Sequence, residues 1–431
     1  MSPKSPAFMI LFAVSLTAAG GNMALQSVLP AIGREFGLAD TLVAGAFAIS
    51  ALMWTVTSPF WARMSDRLGR RRVILIGMGG FAGSMFGFGL AATSGLEHWL
   101  GAGIAFALMA FARSVYGVFG SAAPIASQAY VADRTSPEER TQAMSMLASA
   151  QGLGTVIGPA IAPFFVLPIV GLAGPMYAFA LLGIVVLWLV WSRLPSGEVP
   201  RLATSTRPPA EASGKGLWKD PRVRGFLLYG LLATGAQAVN ISVLGFHIID
   251  EMATTGMAAR QAQSFIGVAM LSGAAATLMV QWGLIPLLKL QPRDLMRWGA
   301  GMALVGNLMS IVAPGYFGVV VGYAVVSMGM GFARPGFTAG SSLAVEAHEQ
   351  GAVAGLMMSL AGLSFLGPPV IGVALYQMTE AAPFVANAVL LATALGVCFI
   401  SKPLKAAVEG SASRSGPETP PASLPGPEGN H

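Results

Sequence analysis

Twelve apolar runs punctuate this 431-residue chain, at 7–29, 41–61, 73–93, 99–131, 143–166, 175–193, 225–249, 263–288, 296–314, 316–344, 351–378 and 382–401. Each is long enough to cross a bilayer core as a helix, which takes roughly 20 residues. Lipid offers no partners to backbone N–H and C=O groups, so runs of this kind must satisfy themselves as helices. The fold class that follows is an all-α polytopic membrane protein with twelve spans in two sets of six. Composition agrees, with 10% charged residues against about a quarter in soluble domains. The 54 glycines suit helices that approach closely in lipid.

The formal charge of +6 has a topological origin. All but four of the 25 Lys and Arg fall in segments on one side of the spans. Of the four, Arg34 and Arg260 are read in loops on the other side, and Arg113 and Arg334 lie inside apolar runs. Short loops rich in Lys and Arg stay in the cytoplasm, which places both termini there and removes any reason to invoke a nucleic-acid partner. The expected organisation is a six-helix bundle over residues 1–194, a cytoplasmic linker over 195–224, a second bundle over 225–401 and a disordered cytoplasmic tail over 402–431. Composition marks the linker and the tail, which are rich in Pro, Ser, Gly and scattered charge. Only Lys4 precedes the first apolar run, which passes 20 residues with no Ala-x-Ala-like cleavage site, so it reads as an uncleaved span. The one cysteine, Cys398, excludes an internal disulfide, and four scattered histidines suggest no metal centre. No nucleotide-binding glycine loop is present, so neither an ATP-driven pump nor an enzyme is expected, and no cofactor.

The halves repeat. Met109-Ala-Phe-Ala-Arg113 in span 4 matches Met330-Gly-Phe-Ala-Arg334 in span 10. Gly158-Pro159 in span 5 has its counterpart in Gly367-Pro368 of span 11. In span 1, Ala19–Leu29 aligns with Thr234–Leu244 of span 7, which pairs Asn22 with Gln237. Three matches in one order indicate two homologous halves.

The loop from Ala62 to Arg72 holds five arginines (Arg63, Arg67, Arg70, Arg71, Arg72), one acid, Asp66, and Gly69, which permits a turn with φ above zero. A positive-inside loop accounts for the arginines but not for Asp66 and Gly69 at these offsets. The segment resembles the loop 2-3 signature of the major facilitator superfamily, G-x-x-x-D-R-x-G-R-[RK], with Ala62 in place of the usual glycine. Two further segments point the same way. Arg113-Ser-Val-Tyr-Gly-Val-Phe-Gly120 resembles the family's span 4 signature with one extra residue. Gly152-Leu-Gly154-Thr-Val-Ile-Gly158-Pro159-Ala-Ile-Ala162 resembles the antiporter motif of span 5, with Ala162 for the last glycine. Directly before it, Asp133-Arg-Thr-Ser-Pro-Glu-Glu-Arg140 resembles the exporters' loop 4-5, and Ser136, Pro137, Glu138 and Glu139 suit the N-cap and first turn of span 5. Together they look most like the twelve-span drug:proton antiporters. That resemblance implies parallel six-helix repeats with substrate at the midplane, and a cytoplasmic latch formed by Asp66, Arg67, Gly69, Arg70 and Asp133.

An ionisable group inside the bilayer is expensive and normally faces a cavity or a partner. Arg113, with Tyr116 one turn on, and Arg334 are therefore candidate substrate-binding residues. Arg334 is followed by Pro335, so satisfying carbonyls freed by a bent helix is its other reading. Asn22 and Gln26 in span 1, with Gln237 and Asn240 in span 7, are further candidates, since each pair shares a helix face. Interhelical hydrogen bonding is the competing role for these amides. Met and Phe of spans 4, 7, 8 and 10 suit an adaptable apolar lining. The resemblance implies proton exchange, yet spans 1 and 4 carry no carboxylate. The titratable candidates are His247, Asp250 and Glu251 at the outer end of span 7, or Asp66 and Asp133 on the inner side. The reading is a monomeric secondary transporter of a bacterial inner membrane that exports small amphiphilic compounds in exchange for protons. A dedicated exporter of one metabolite such as a siderophore, an importer of a polar solute, and a receptor on a transporter fold remain open.

Overall fold

The computed structural model describes residues 5–135, 137–195, 218–288, 290–313, 315–346 and 349–400. Most of the 195–224 linker, the 402–431 tail and the Ser136 cap lie outside the described residues. Spans 1 to 6 are Pro6–Glu35, Asp40–Leu68, Arg70–Leu96, Ala102–Gly120 continued by Ala122–Arg134, Pro137–Ile161 and Gly174–Arg193. Spans 7 to 12 are Pro221–Ala253, Ala259–Leu278 continued through a π-helical turn to Leu288, Pro292–Val312, Gly315–Leu343, Gln350–Leu366 continued by Pro368–Met378, and Ala382–Ile400. Eleven of these are long and apolar enough to cross a membrane on their own. Pro137–Ile161, with its charged first turn, is the twelfth, and it lies along span 1.

Two spans run further than their apolar stretches. Span 1 continues past Pro30 to Glu35, so Arg34, expected in a loop, sits in the last helical turn. Pro30 is tolerated because the helix is clamped on all sides there, and its ring packs on Gly245 of span 7, where an added Cβ would lie 2.6 Å from Pro30 Cγ. Span 7 begins at Pro221 because Asp220 caps it, accepting the Arg222 backbone N–H at 2.8 Å. The Arg222 guanidinium holds the Asp220 carboxyl below the usual carboxylate range and also pairs with Glu349 at 2.9 Å.

The sequence repeat reappears as packing. Gly154 and Gly158 of span 5 lie on Leu16 and Gly20 of span 1 so closely that a Cβ on Gly158 would collide with the Gly20 carbonyl. Aligning the halves pairs Gly20 with Gly235, and Gly235 faces Pro368 of the matching Gly-Pro in span 11. Beside it Thr234 and Ser364 share a hydrogen bond of 2.7 Å. The matching positions thus meet in each half, tightly in the first and at ordinary contact distance in the second.

The two ends differ. Span 1 is buried on every face from Ala24 to Gly33, and span 7 from Val243 to Ile249. There Pro30 meets Gly245, Pro163 meets Gly267, and Arg260 approaches Gly171, so the halves touch at the end away from the arginine-rich loop. Toward the basic end exposed positions return on both spans, such as Met9 and Leu228. The described ion pairs at that end each join residues of one half: Arg70 with Asp66 and Asp133, and Arg222 with Asp220 and Glu349. Among the described residues, these close contacts and the Arg34–Asp250 ion pair tie the halves together at the far end, while the ion pairs of Arg70 and Arg222 at the basic end stay within one half.

Candidate functional site

Arg113 is the charge buried deepest in the membrane region, with 3% of its surface exposed. Span 4 exposes Ile104 and Phe111 to its surroundings, and helical geometry turns Arg113 roughly opposite to them, toward the interior. Its Nη2 donates to the Asn22 side-chain oxygen on span 1. The guanidinium carbon lies 5.0 Å from the centroid of the Phe47 ring and 4.6 Å from that of Tyr116. Nε and Nη1 are buried and have no hydrogen-bond partner. Tyr116 is itself almost fully buried between Trp54 and Phe81, so it serves as a wall behind the arginine.

Arg334 is exposed, yet it lies about 140–180° around span 10 from Val321 and Leu343, which are 48% and 62% exposed to the outside. Its exposure is therefore to the space between the halves. Gln26 and Asn240 are buried, and Asn240 Nδ2 has no partner; Gln237 is half-buried. Of the seven candidate binding residues, the described contacts join Asn22, Arg113 and Tyr116 in one cluster. Gln26, Gln237, Asn240 and Arg334 stand separately from it. A groove of about 420 Å³ between spans 3 and 4, lined in part by Trp99 and Phe111, lies on the lipid side. It contains no charged group, and its Ser84 and Ser94 hydroxyls are bonded to backbone carbonyls.

At the basic end Arg70 binds Asp66 at 2.6 Å, Asp133 at 2.9 Å and the Ser65 hydroxyl at 3.1 Å. Gly69, at φ +90°, makes the tight link between spans 2 and 3 that presents Arg70 to both acids. Arg67 is exposed beside them. Gly154, Gly158 and Pro159 form the crossing with span 1 already described.

The far end holds a network across the halves. Arg34 of span 1 takes Asp40 of span 2 in two bonds of 2.7 Å and Asp250 of span 7 at 2.9 Å. Tyr376 of span 11 donates its hydroxyl to Asp250 at 2.8 Å. His247 is buried against the Tyr376 and Phe384 rings, with Nδ1 3.4 Å from the Tyr376 hydroxyl. Glu251 turns aside toward Gly315. Sequence reading named Asp250 and His247 but not Phe47, Asp40, Tyr376 or the role of Arg34. An acid six residues after Arg34 was a usable signal; nothing local marks a tyrosine 126 positions from Asp250.

A family model described as Major Facilitator Superfamily matches residues 11–368. The chain belongs to that superfamily. Its relatives there include Multidrug resistance protein 2 of Bacillus subtilis (strain 168), 24% identical over 405 residues, which cover 92% of this chain and 96% of the relative. The class B tetracycline resistance protein of Escherichia coli is 25% identical over 400 residues, 85% of this chain and 88% of that one. Among solved structures, a bacterial homolog of the human lysosomal transporter Spinster, in an inward-facing and unoccupied conformation, has the same fold at 14% identity. Its TM-score is 0.68, with 93% of this chain and 97% of that one covered. The chain is a multi-pass membrane transporter of the facilitator fold.

Proposed function

We propose that this protein exports small amphiphilic compounds from the cytoplasm across a bacterial inner membrane, as a monomer, in exchange for protons. The observation that carries the reading is the asymmetry of the described ties: Arg34–Asp250 joins the halves at the far end, while the described ion pairs at the basic end stay within one half. Positive-inside topology puts the basic end in the cytoplasm, so this conformation loads substrate from inside. Residues 1–194 and 225–401 act as two rigid bundles joined by the 195–224 linker, and rocking them opens the far end while the basic end closes. The names of the multidrug and tetracycline resistance relatives favour efflux as the direction.

Arg113, Asn22 and Phe47, with Gln26, Gln237, Asn240 and Arg334, line the path at membrane depth. Asp66, Arg70 and Asp133 brace the basic end of the N-terminal half, ready to meet the other half when that end closes. Proton coupling fits the far-end network. A proton arriving from outside and binding Asp250 cancels its charge, weakens the tie to Arg34 and lets the bundles part on the outer side. Asp250 is favoured because, among the described residues, its pair with Arg34 joins the two halves.

Expression in a bacterial strain lacking its own drug pumps tests the reading. Cells carrying the protein should accumulate less ethidium or tetracycline than cells with an Arg113→Ala variant at equal membrane abundance. Equal or greater accumulation of both compounds would overturn efflux.

A further inference from the structure

We propose that the carried compound is an organic anion, whose carboxylate, sulfonate or phosphate group is received by Arg113 with Arg334 supplying a second positive charge from the facing bundle. The proposal rests on the export reading and narrows it to a substrate class.

Arginine stays protonated at any working pH, and a buried charge with unsatisfied donors is strongly disfavoured unless an acceptor meets it. Arg113 has one partner, the neutral Asn22 oxygen, while Nε and Nη1 are buried without any. Nε and Nη1 lie on different edges of the guanidinium, so each is a separate charged donor for an acid oxygen, a hydrogen bond roughly twice as strong as a neutral one. Phe47 and Tyr116 hold the guanidinium between rings and offer an apolar wall to the body of an amphiphile.

The surrounding charges point to the same ligand. Every carboxylate among the described residues belongs to one end or the other: Asp66, Asp133, Asp220, Asp294, Glu346 and Glu349 among those at the basic end, and Glu35, Asp40, Glu97, Asp250, Glu251 and Glu380 among those at the far end. At the depth between them stand Arg113 and, in the matching position of the second half, Arg334, which has no carboxylate partner among the described residues. A fixed positive charge at membrane depth in each half, with no carboxylate at that depth among the described residues, disfavours a cation and favours an anion. The missing mid-membrane carboxylate, which a carrier of cations would need as a counter-ion, is thereby accounted for. An anion moving out and a proton moving in also displace charge in the same sense, so the inside-negative membrane potential drives both.

The test uses proteoliposomes of the full chain and three probes that share one apolar body: 2-naphthalenesulfonate, neutral 2-naphthalenesulfonamide, and a naphthyl trimethylammonium. Wild type should carry the sulfonate at least about tenfold faster than the ammonium, the scale of a charge-assisted hydrogen bond. Arg113→Gln should collapse that ratio to about twofold or less, and Arg113→Lys should keep part of it. Arg334→Gln, at an exposed position, should lower the ratio as well and serves if Arg113→Gln does not fold. Flux of the sulfonamide alone, or of the ammonium as fast as the sulfonate, would overturn the anion assignment while leaving export standing. If no probe moves, export itself fails for this set and thermal shift of the purified protein decides. A melting point raised by the sulfonate and not by the ammonium supports the anion site; no such difference overturns it.

Discussion

Replacing Asp250 with Asn tests the far-end closure while leaving the shape of the side chain in place. Arg34 keeps its two 2.7 Å bonds to Asp40, and Asn still offers an oxygen to the Tyr376 hydroxyl. What is lost is the charge tie between the halves, now 2.9 Å long between side chains 32% and 29% exposed. A pair of this partial exposure lies between surface bridges and fully buried ones, so the loss should be about 1–2 kcal/mol. That corresponds to a factor of about 5–30 in the ratio of closed to open far ends. Spin labels at Ala39 and Thr254, exposed positions on the two sides of the closure, report the ratio by pulsed dipolar distance measurement in nanodiscs. Wild type should give a dominant short distance and Asp250→Asn a substantial long one. Arg34→Gln alone and with Asp250→Asn completes a cycle whose coupling should be about 1 kcal/mol. Identical distance distributions in wild type and Asp250→Asn, or fully additive effects in the cycle, would refute the closure argument.

Other perturbations separate transport from folding. Asp66→Asn breaks a partly exposed pair with Arg70, so thermal stability should change by no more than about 1 kcal/mol while efflux falls; normal efflux at wild-type membrane abundance counts against the latch. Gly158→Val has no room against the Gly20 carbonyl and should lower stability by about 1–3 kcal/mol, seen as a drop in melting point, with Gly152→Val, whose added Cβ meets open space, as the milder comparison. Asn22→Ala frees another Arg113 N–H and should change which compounds are carried more than how much protein folds; unchanged selectivity with reduced stability would assign Asn22 to helix packing instead.

Much of the architecture was legible because lipid makes the sequence explicit. The spans follow from apolar length, and the repeat from Arg113 with Arg334 and Gly158-Pro159 with Gly367-Pro368. The repeat even anticipates atomic contacts, since Gly20 and Gly235 each meet the glycine-proline step of their own half. Span ends were less legible. Pro30 looked like a terminus, but packing between both halves sustains the helix for another turn, and that turn carries Arg34 to Asp250. The far-end network escaped for the same reason: Arg34 and Asp250 are 216 positions apart, and no local pattern records a contact between bundles. Phe47 is one apolar residue among many in span 2, and only the placement of Arg113 beside it gives it meaning. Tyr116 was legible as a neighbour of Arg113 but not as a buried one, because helical spacing alone does not say that Trp54 and Phe81 cover its other faces.

The central claim is an exporter whose outer closure is released by protons, and simultaneous recording of substrate and proton movement tests it most directly. In liposomes containing the purified protein and a pH-sensitive dye, a carried compound moving in the export sense should be accompanied by proton flow in the opposite sense. An imposed pH gradient should speed that movement, and Asp250→Asn should leave substrate movement that no longer responds to the gradient. Substrate movement in wild type with no proton flow and no response to the gradient would contradict the account.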